Sequence, residues 1–121
     1  MMTVPQTLPG YRVLLVEDEY FIAMELADLF RRRGADVVGP VPSVDEALDL
    51  IAANARLDGA VLDINLHGEM AYPVADMLVA RKVPFVFATG YDRETLPPRF
   101  AQARFCNKPV VVEQVVQALL G

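Results

Sequence analysis

The sequence predicts an α/β fold: a doubly wound, five-stranded parallel sheet with helices on both faces. Five short segments rich in β-branched and aromatic residues alternate with four amphipathic helical segments, which is typical of βα units. At 121 residues the chain has room for one domain. We assign that domain to residues 11–121 and treat residues 1–10, which contain proline and glycine, as an N-terminal tail.

The first strand and the first helix follow this tail directly. Arg12–Val16 is apolar at four consecutive positions, which indicates a strand buried on both faces. Ile22, Leu26 and Leu29 recur at i, i+4 and i+7, and this spacing predicts a helix over residues 20–33 that ends before a glycine.

The second strand and the second helix are bounded by prolines and by a capping motif. The strand begins at Val37 and ends at Pro40 and Pro42. Ser43 and Glu46 match the S-x-x-E pattern of a capping box, so the helix begins there. Its apolar stripe comprises Val44, Ala47, Leu48 and Ile51.

A carboxylate interrupts the third predicted strand, Ala60–Ile64, at Asp63. An apolar strand normally avoids a charged side chain, so this mismatch marks a candidate site. Pro73 then suits the first turn of a third helix. The inner face of that helix comprises Val74, Met77 and Leu78.

The last third of the chain contains two predicted strands, Pro84–Ala88 and Arg104–Cys106. Between them, residues 90–103 include Pro97-Pro98, so any helix there is short, broken or displaced. The final helix, expected to end at Gly121, has an apolar stripe comprising Val112, Val115, Val116 and Leu119. Right-handed crossovers among the five strands favour the flavodoxin-like order 2-1-3-4-5.

Composition disfavours nucleic acid and membrane as partners. Sixteen acidic and eleven basic side chains give a formal charge of −5, and such a field repels a phosphate backbone. The apolar runs are far too short to cross a bilayer. No secretory signal begins the sequence, and the single cysteine, Cys106, cannot form an internal disulfide. We therefore expect a cytoplasmic protein.

Ionisable and hydroxyl side chains follow four of the five predicted strands. Glu17 and Asp18 follow the first strand, Asp63 closes the third, Thr89 follows the fourth, and Lys108 follows the fifth. These positions converge because the carboxyl ends of parallel strands share one edge. Three adjacent carboxylates repel one another unless a cation joins them, and oxygen ligands suit Mg²⁺. A lysine and a hydroxyl beside such a site predict phosphoryl transfer to a carboxylate.

Four motifs in this order and spacing make the chain resemble the receiver domains of two-component response regulators. The motifs are LLVED at residues 14–18, VLDINL at 61–66, ATG at 88–90 and NKP at 107–109. The resemblance covers residues 11–121. The string FATGY at residues 87–91 is also similar to the FATGUY subgroup of receivers, many of which are stand-alone.

The resemblance implies a phosphoacceptor and a magnesium site. Asp63 matches the aspartate that accepts a phosphoryl group from the phosphohistidine of a sensor histidine kinase or a histidine phosphotransfer protein. Asp18 matches a direct Mg²⁺ ligand, and Glu17 would bind the ion through water or shape the acidic pocket. Asn65 matches the position whose backbone carbonyl completes the metal site. A downstream protein effector would then receive the signal by contact.

The resemblance also implies a switch. Thr89 matches the hydroxyl that moves to the phosphoryl group, Lys108 the lysine that pairs with that group, and Phe105 the aromatic switch position. The bond from Lys108 to Pro109 resembles one that is usually cis in the family. Two features depart from the family pattern: phenylalanine has no hydroxyl to report its state, and Pro97-Pro98 disturbs the helix that usually carries the signal.

Tyr91 is a candidate for control of hydrolysis. It lies two residues after Thr89, beside the path by which water would reach the phosphoryl group, so we expect its ring to hinder that attack. The alternative is that Tyr91 packs in the loop or forms part of a partner surface.

Other interpretations of the same residues stay open. Asp18 could cap the first helix, Thr89 could be a turn residue, and His67, the only histidine, could be a solvated loop residue. The chain could be a phosphorylation-independent interaction module with a relic site. An aspartyl-phosphate phosphatase is disfavoured because Asn65 stands where a second aspartate would act as acid and base. As a receiver, the chain would be a self-phosphorylating switch without a multiple-turnover substrate.

Overall fold

The computed structural model describes residues 7–120, and in that range the chain forms one five-stranded parallel sheet. Its strands are β1, Arg12–Val16; β2, Asp36–Val41; β3, Gly59–Leu62; β4, Phe85–Thr89; and β5, Arg104–Asn107. Their order across the sheet is β2-β1-β3-β4-β5. The predicted fold class and strand order are confirmed.

Four α-helices cover the two faces of the sheet over the same residues. They are α1, Tyr20–Arg32; α2, Val44–Ala53; α3, Tyr72–Ala80; and α4, Val112–Leu120. α1 and α4 pack on one face, and α2 and α3 pack on the other. None of these helices is long and apolar enough to span a bilayer.

The central strands are apolar at successive positions because both faces of the sheet are covered. In β1, Leu14 and Val16 contact the α2 and α3 side, whereas Val13 and Leu15 contact the α1 and α4 side. This alternation follows from the two-residue period of a strand. A polar residue at the carboxyl end of such a strand is therefore held close to the core.

Local sequence signals place the ends of several elements. Ser43 caps α2: its hydroxyl accepts the Glu46 N–H at 3.2 Å and donates to the Glu46 carboxylate at 2.8 Å, which confirms the predicted helix start. β3 ends at Leu62, so Asp63 lies just beyond the strand and the predicted range 60–64 was too long. Conversely, β4 extends to Thr89, one residue further than predicted.

A small antiparallel hairpin follows β3 and was not predicted. Its strands are Asn65–Leu66 and Glu69–Met70, and its turn contains His67 and Gly68 with φ angles of 54° and 90°. The left-handed conformation costs little for glycine, but it is uncommon for a histidine. The hairpin turns His67 back toward the end of β1.

Two single-turn 3₁₀ helices, Arg93–Thr95 and Pro98–Phe100, replace a regular helix between β4 and β5. The prediction of a short or broken element around the two prolines is therefore confirmed. Phe100 anchors this segment: its ring is stacked on Tyr72 and lies edge-on to Phe87, with both centroids at 5.6 Å. The aromatic contacts of Phe100 with Tyr72 and Phe87 therefore pack this segment on the core in place of a helix face.

The predicted tail is described only from residue 7. Residues 1–6 lie outside the described range, as does Gly121, where the final helix was expected to end. Leu8 is buried against α1 and α4, and its N–H donates to the Arg33 carbonyl at 2.5 Å. The chain is therefore packed on the domain from Leu8 onward.

Candidate functional site

The carboxyl ends of the strands surround an open depression of about 630 Å³. Six of the sequence-predicted site residues line it, namely Asp18, Asp63, Asn65, Thr89, Tyr91 and Lys108. Glu17 is buried and contacts Lys108. Phe105 lies within β5 and does not line the depression. The strand ends thus bring together the predicted site residues except Phe105.

The acidic cluster forms because the ends of β1 and β3 are neighbours. The Asp63 N–H donates to the Val16 carbonyl at 2.9 Å, which fixes the end of β3 against the end of β1. Glu17, Asp18 and Asp63 each offer a carboxylate oxygen, and these three atoms lie within 4.8 Å of one another. Glu17 and Asp63 are only 4% and 8% exposed, so water screens their repulsion poorly.

Lys108 supplies the positive charge beside this cluster. Its Nζ lies 3.0 Å from Glu17 Oε2 and 3.0 Å from Asp63 Oδ2. The Lys108 N–H donates to the Thr89 carbonyl at 2.9 Å, which fixes the lysine backbone to the end of β4, and the bond to Pro109 is cis. One ammonium cannot balance three carboxylates, so the site keeps a negative charge that a divalent cation would neutralise.

Burial and hydrogen bonding shift the pKa values of Glu17 and Lys108. Burial raises the pKa of Glu17 to about 7, and the hydrogen bonds from Lys108 and from the Glu19 N–H oppose that rise. Burial alone would lower the pKa of Lys108, but hydrogen bonds to Asp63 and Glu17 leave that pKa raised. Lys108 therefore stays charged, and Glu17 is the group whose charge is most easily lost.

Asp18 does not cap α1. The N-cap residue is Glu19, whose side chain makes no cap hydrogen bond. Asp18 Oδ2 instead lies 2.9 Å from the His67 backbone nitrogen and 2.8 Å from His67 Nδ1. Burial would raise the pKa of Asp18, but hydrogen bonds, first that from the His67 N–H, hold the pKa below its ordinary value. Asp18 is thus an ionised carboxylate facing the depression.

His67 and Asn107 make contacts at or beside the depression that the sequence did not reveal. The ring of His67 is exposed, as expected for a loop residue, yet it contacts Asp18 across 49 positions of sequence. Asn107 donates from Nδ2 to the Tyr91 carbonyl at 3.3 Å. Neither contact has a local signal, although Asn107 directly precedes Lys108.

Asn65 and Tyr91 form the rim of the depression. Asn65 Nδ2 donates to the Tyr91 hydroxyl at 2.8 Å, and Asn65 Oδ1 accepts the Gly68 N–H at 2.6 Å. The side-chain amide of Asn65 is therefore engaged at both ends. Tyr91, 38% exposed, lines the same depression as Asp63, and the bond from Asn65 Nδ2 holds its hydroxyl.

Thr89 and Phe105 lie on adjacent strands behind this rim. Thr89 is 1% exposed, and its hydroxyl accepts the Tyr91 N–H at 3.1 Å. Phe105 is half-buried, and the guanidinium of Arg93 lies 5.1 Å from its ring centroid. The 3₁₀ segment therefore covers the aromatic ring through Arg93.

The donor set fits a hard divalent cation. Carboxylate oxygens cluster within 4.8 Å, and no thiol lines the described part of this depression. The side-chain amide of Asn65 is bound to Tyr91 and Gly68, and the resemblance to receiver domains implies that the backbone carbonyl of Asn65 is the ligand. Oxygen ligands with room for water are the environment that Mg²⁺ prefers.

Comparison with known proteins finds no matching family model, but it finds several relatives. SdrG from Sphingomonas melonis Fr1 is 39% identical with a TM-score of 0.78, over 93% of this chain and 98% of that chain. A second structure of SdrG, in its BeF₃-activated conformation, has a TM-score of 0.73 over 89% of this chain and 92% of that chain.

Two further relatives come from other bacteria. The REC domain of the response regulator PhyR from Erythrobacter litoralis is 27% identical, with a TM-score of 0.78 over 92% of this chain and 91% of that domain. Sensory transduction protein LytT of Bacillus subtilis is 32% identical over 112 residues, covering 89% of this chain and 46% of LytT. The chain spans about half the length of the first curated relatives it matches.

Proposed function

Because the chain belongs to the receiver domains of response regulators, we propose that it is a switch that accepts a phosphoryl group on Asp63 in a magnesium-dependent reaction. One observation carries this proposal: Lys108 Nζ lies 3.0 Å from Asp63 Oδ2, inside a cluster of three carboxylates at the carboxyl edge of the sheet. An acceptor carboxylate, a fixed positive charge and a cation site are the parts that phosphoryl transfer to aspartate requires.

The phosphoryl donor is the phosphohistidine of a sensor histidine kinase or of a histidine phosphotransfer protein. A carboxylate oxygen of Asp63 attacks phosphorus, and the P–N bond to the imidazole breaks. The leaving nitrogen keeps the bonding pair and takes up a proton. In the later hydrolysis, water attacks phosphorus and the P–O bond to Asp63 breaks, which releases inorganic phosphate and restores the carboxylate. Lys108 supplies positive charge to the phosphoryl oxygens in both steps.

Asp18, Asp63 and the backbone carbonyl of Asn65 would hold Mg²⁺, and Glu17 would bind it through water or shape the acidic pocket. When bound, Mg²⁺ neutralises the carboxylates and the phosphoryl oxygens, so that an anion can approach. The spacing of the three carboxylate oxygens supports this assignment. Without a cation, the same carboxylates repel the donor phosphate.

Thr89, Phe105 and Lys108 convert phosphorylation into a change of shape. The Thr89 hydroxyl leaves the Tyr91 N–H and moves to the phosphoryl group, which vacates volume that the ring of Phe105 can fill. Thr89→Ala should uncouple the two movements. Comparison of amide and aromatic NMR shifts with and without beryllofluoride tests this; equal Phe105 shifts in both proteins would contradict it.

Output proceeds by contact with a downstream protein effector. In this role the chain is a self-phosphorylating and self-dephosphorylating switch, and it does not turn over a separate substrate. We place it in the cytoplasm, a reducing compartment that suits its single, buried and unpaired Cys106.

A small phosphodonor with Mg²⁺ separates the candidate functions. A receiver gains one phosphoryl group per chain, an aspartyl-phosphate phosphatase consumes many donor molecules per chain, and a relic interaction module does neither. We expect stoichiometric labelling of the wild type and none of Asp63→Asn. Equal labelling of the two proteins would exclude Asp63 as the acceptor.

A further inference from the structure

His67 makes two contacts to a single oxygen of Asp18. Its backbone nitrogen lies 2.9 Å, and its ring Nδ1 2.8 Å, from Asp18 Oδ2. The backbone of His67 is in the left-handed region, with φ of 54°, because the residue lies in the turn of the 65–70 hairpin. A residue in an uncommon conformation therefore delivers two hydrogen bonds to one carboxylate.

Hydrogen-bond chemistry fixes which ring nitrogen of His67 carries the hydrogen. An ionised carboxylate can only accept, so the Nδ1 that contacts Asp18 must be protonated. Oδ2 of Asp18 then accepts from two donors, and the carboxylate held in this way offers an oxygen within 4.8 Å of oxygens of Glu17 and Asp63. The Asp18 side chain is only 13% exposed. Its surroundings therefore leave it few other orientations if the bonds to His67 are lost.

The contact also joins two loops that carry metal-site residues. Asp18 follows β1, whereas His67 belongs to the hairpin that also carries Asn65. Asn65 is bound in turn to Gly68, the neighbour of His67. The orientation of Asp18 and the position of the Asn65 backbone are thus set by the same hairpin turn.

We propose that His67 is a positioning residue for the magnesium site: its ring holds Asp18 so that one carboxylate oxygen is presented to the ion. This inference rests on the proposed magnesium site. Outer hydrogen bonds to metal ligands commonly change metal affinity by about 10- to 100-fold. Because the backbone N–H of residue 67 survives any substitution except proline, we expect loss of the ring to weaken Mg²⁺ binding by about tenfold.

Two variants at this position separate the ring hydrogen bond from the backbone geometry. His67→Gly removes the ring and accepts the positive φ without strain, whereas His67→Asn also tolerates this φ and restores a side-chain donor. Mg²⁺ binding is measured by calorimetric titration with the metal alone and no phosphodonor. We expect His67→Gly to bind about tenfold more weakly than wild type, and His67→Asn to recover most of that loss.

The ring tautomer of the wild type gives a test that needs no variant. Long-range ¹H–¹⁵N NMR should show a hydrogen on Nδ1 of His67, and a bare Nδ1 would overturn the proposal. Equal Mg²⁺ affinity in wild type and His67→Gly would also overturn the proposal. So would an equal loss of Mg²⁺ affinity in His67→Gly and His67→Asn. In each of these cases the magnesium site itself would stand. Failure of the wild type to bind Mg²⁺ would instead overturn both this inference and the proposed function.

Discussion

The two edges of the sheet use charged residues in opposite ways. At the amino edge, where the strands begin, arginines bind backbone carbonyls: Arg12 Nε donates to the Arg56 carbonyl at 3.0 Å and Arg56 to the Gly10 carbonyl at 2.6 Å. Arg81 donates to the carbonyls of Ile51, Asn54 and Ala55 at the end of α2. At the carboxyl edge, Lys108 faces the ionisable carboxylates of Glu17 and Asp63.

The two edges differ in the groups that face the positive charges: backbone carbonyls at the amino edge and carboxylates at the carboxyl edge. A backbone carbonyl does not take up a proton as the pH changes, so the bonds from arginines to carbonyls at the amino edge keep the same charge. A buried carboxylate can take up a proton or bind a cation, so the charge of the carboxyl edge can change. Substitutions at the amino edge should therefore change stability, whereas those at the carboxyl edge should change function and, at Glu17, the pH dependence of stability.

Lys108→Ala should have the largest effect on function. The lysine charge favours the phosphorylated conformation, so its removal should abolish most of the NMR shift change that beryllofluoride produces with Mg²⁺. The fold should remain intact, and phosphorylation should slow without vanishing. The other lysine, Lys82, follows α3 at the amino edge with φ of 58°, so Lys82→Asn is the matched control and should respond like wild type. A wild-type response in Lys108→Ala would contradict the account.

Glu17→Gln should stabilise the metal-free protein at neutral and higher pH. Burial raises the pKa of Glu17 from 4.5 to about 7. Between these two pH values the carboxyl group is protonated in the folded chain and ionised in the unfolded chain. Stability from this group therefore falls as the pH rises through that window. Glutamine cannot ionise, so the variant should exceed wild type by about 1–3 kcal/mol above pH 7, and the difference should vanish toward pH 4.5.

Denaturant unfolding across this pH range measures the difference between the two proteins. Asp58→Asn is the control for loss of a carboxylate at the amino edge, since this carboxylate accepts the Arg12 N–H at 2.8 Å and lies 3.6 Å from Arg56. A stability difference between Glu17→Gln and wild type that does not depend on pH would contradict the assignment.

Arg81→Met should act on stability alone. The variant keeps the aliphatic stem but leaves carbonyls at the end of α2 without their charged donor, which should lower the free energy of unfolding by about 1–2 kcal/mol. Urea titration measures that loss, and the rate of labelling by a phosphodonor should stay unchanged. A slower labelling rate in the folded variant would show that the two edges are coupled.

Tyr91→Ala should have the smallest effect. The lifetime of the phosphorylated form should fall by a few-fold, which corresponds to lowering the hydrolysis barrier by less than about 1.4 kcal/mol. Tyr91→Phe keeps the ring but loses the hydroxyl that accepts from Asn65, so it separates shielding from that hydrogen bond. Phosphate release after a single labelling pulse is timed in all three proteins. An unchanged or longer lifetime in Tyr91→Ala would exclude shielding and leave Tyr91 as a partner-contact residue.

The sequence predicts those parts of the molecule that local patterns or strand topology determine. Ser43 and Glu46 specify the start of α2 through bonds three residues apart. The strand order follows from crossover handedness. The parallel direction of the strands brings Asp18, Asp63 and Lys108 to one edge, and the order makes the ends of β1 and β3 neighbours.

Contacts made by irregular backbone could not be predicted in this way. The bond between His67 and Asp18 depends on a left-handed turn in a hairpin of two-residue strands, which has no hydrophobic period. The packing of Phe100 on Tyr72 similarly depends on where a proline-broken segment returns to the core. Both features follow from tertiary structure, not from the pattern of the segment itself.

Intact-protein mass after incubation with a small phosphodonor tests the central claim most directly. Wild type, Asp63→Asn and Asp58→Asn are compared with Mg²⁺ and with a chelator; the two variants remove one carboxylate from opposite edges of the sheet. We expect wild type and Asp58→Asn to gain the mass of one phosphoryl group only when Mg²⁺ is present, and Asp63→Asn to gain none. Labelling of Asp63→Asn would contradict a phosphoacceptor at Asp63. Equal labelling of wild type with Mg²⁺ and with the chelator would contradict the dependence on magnesium.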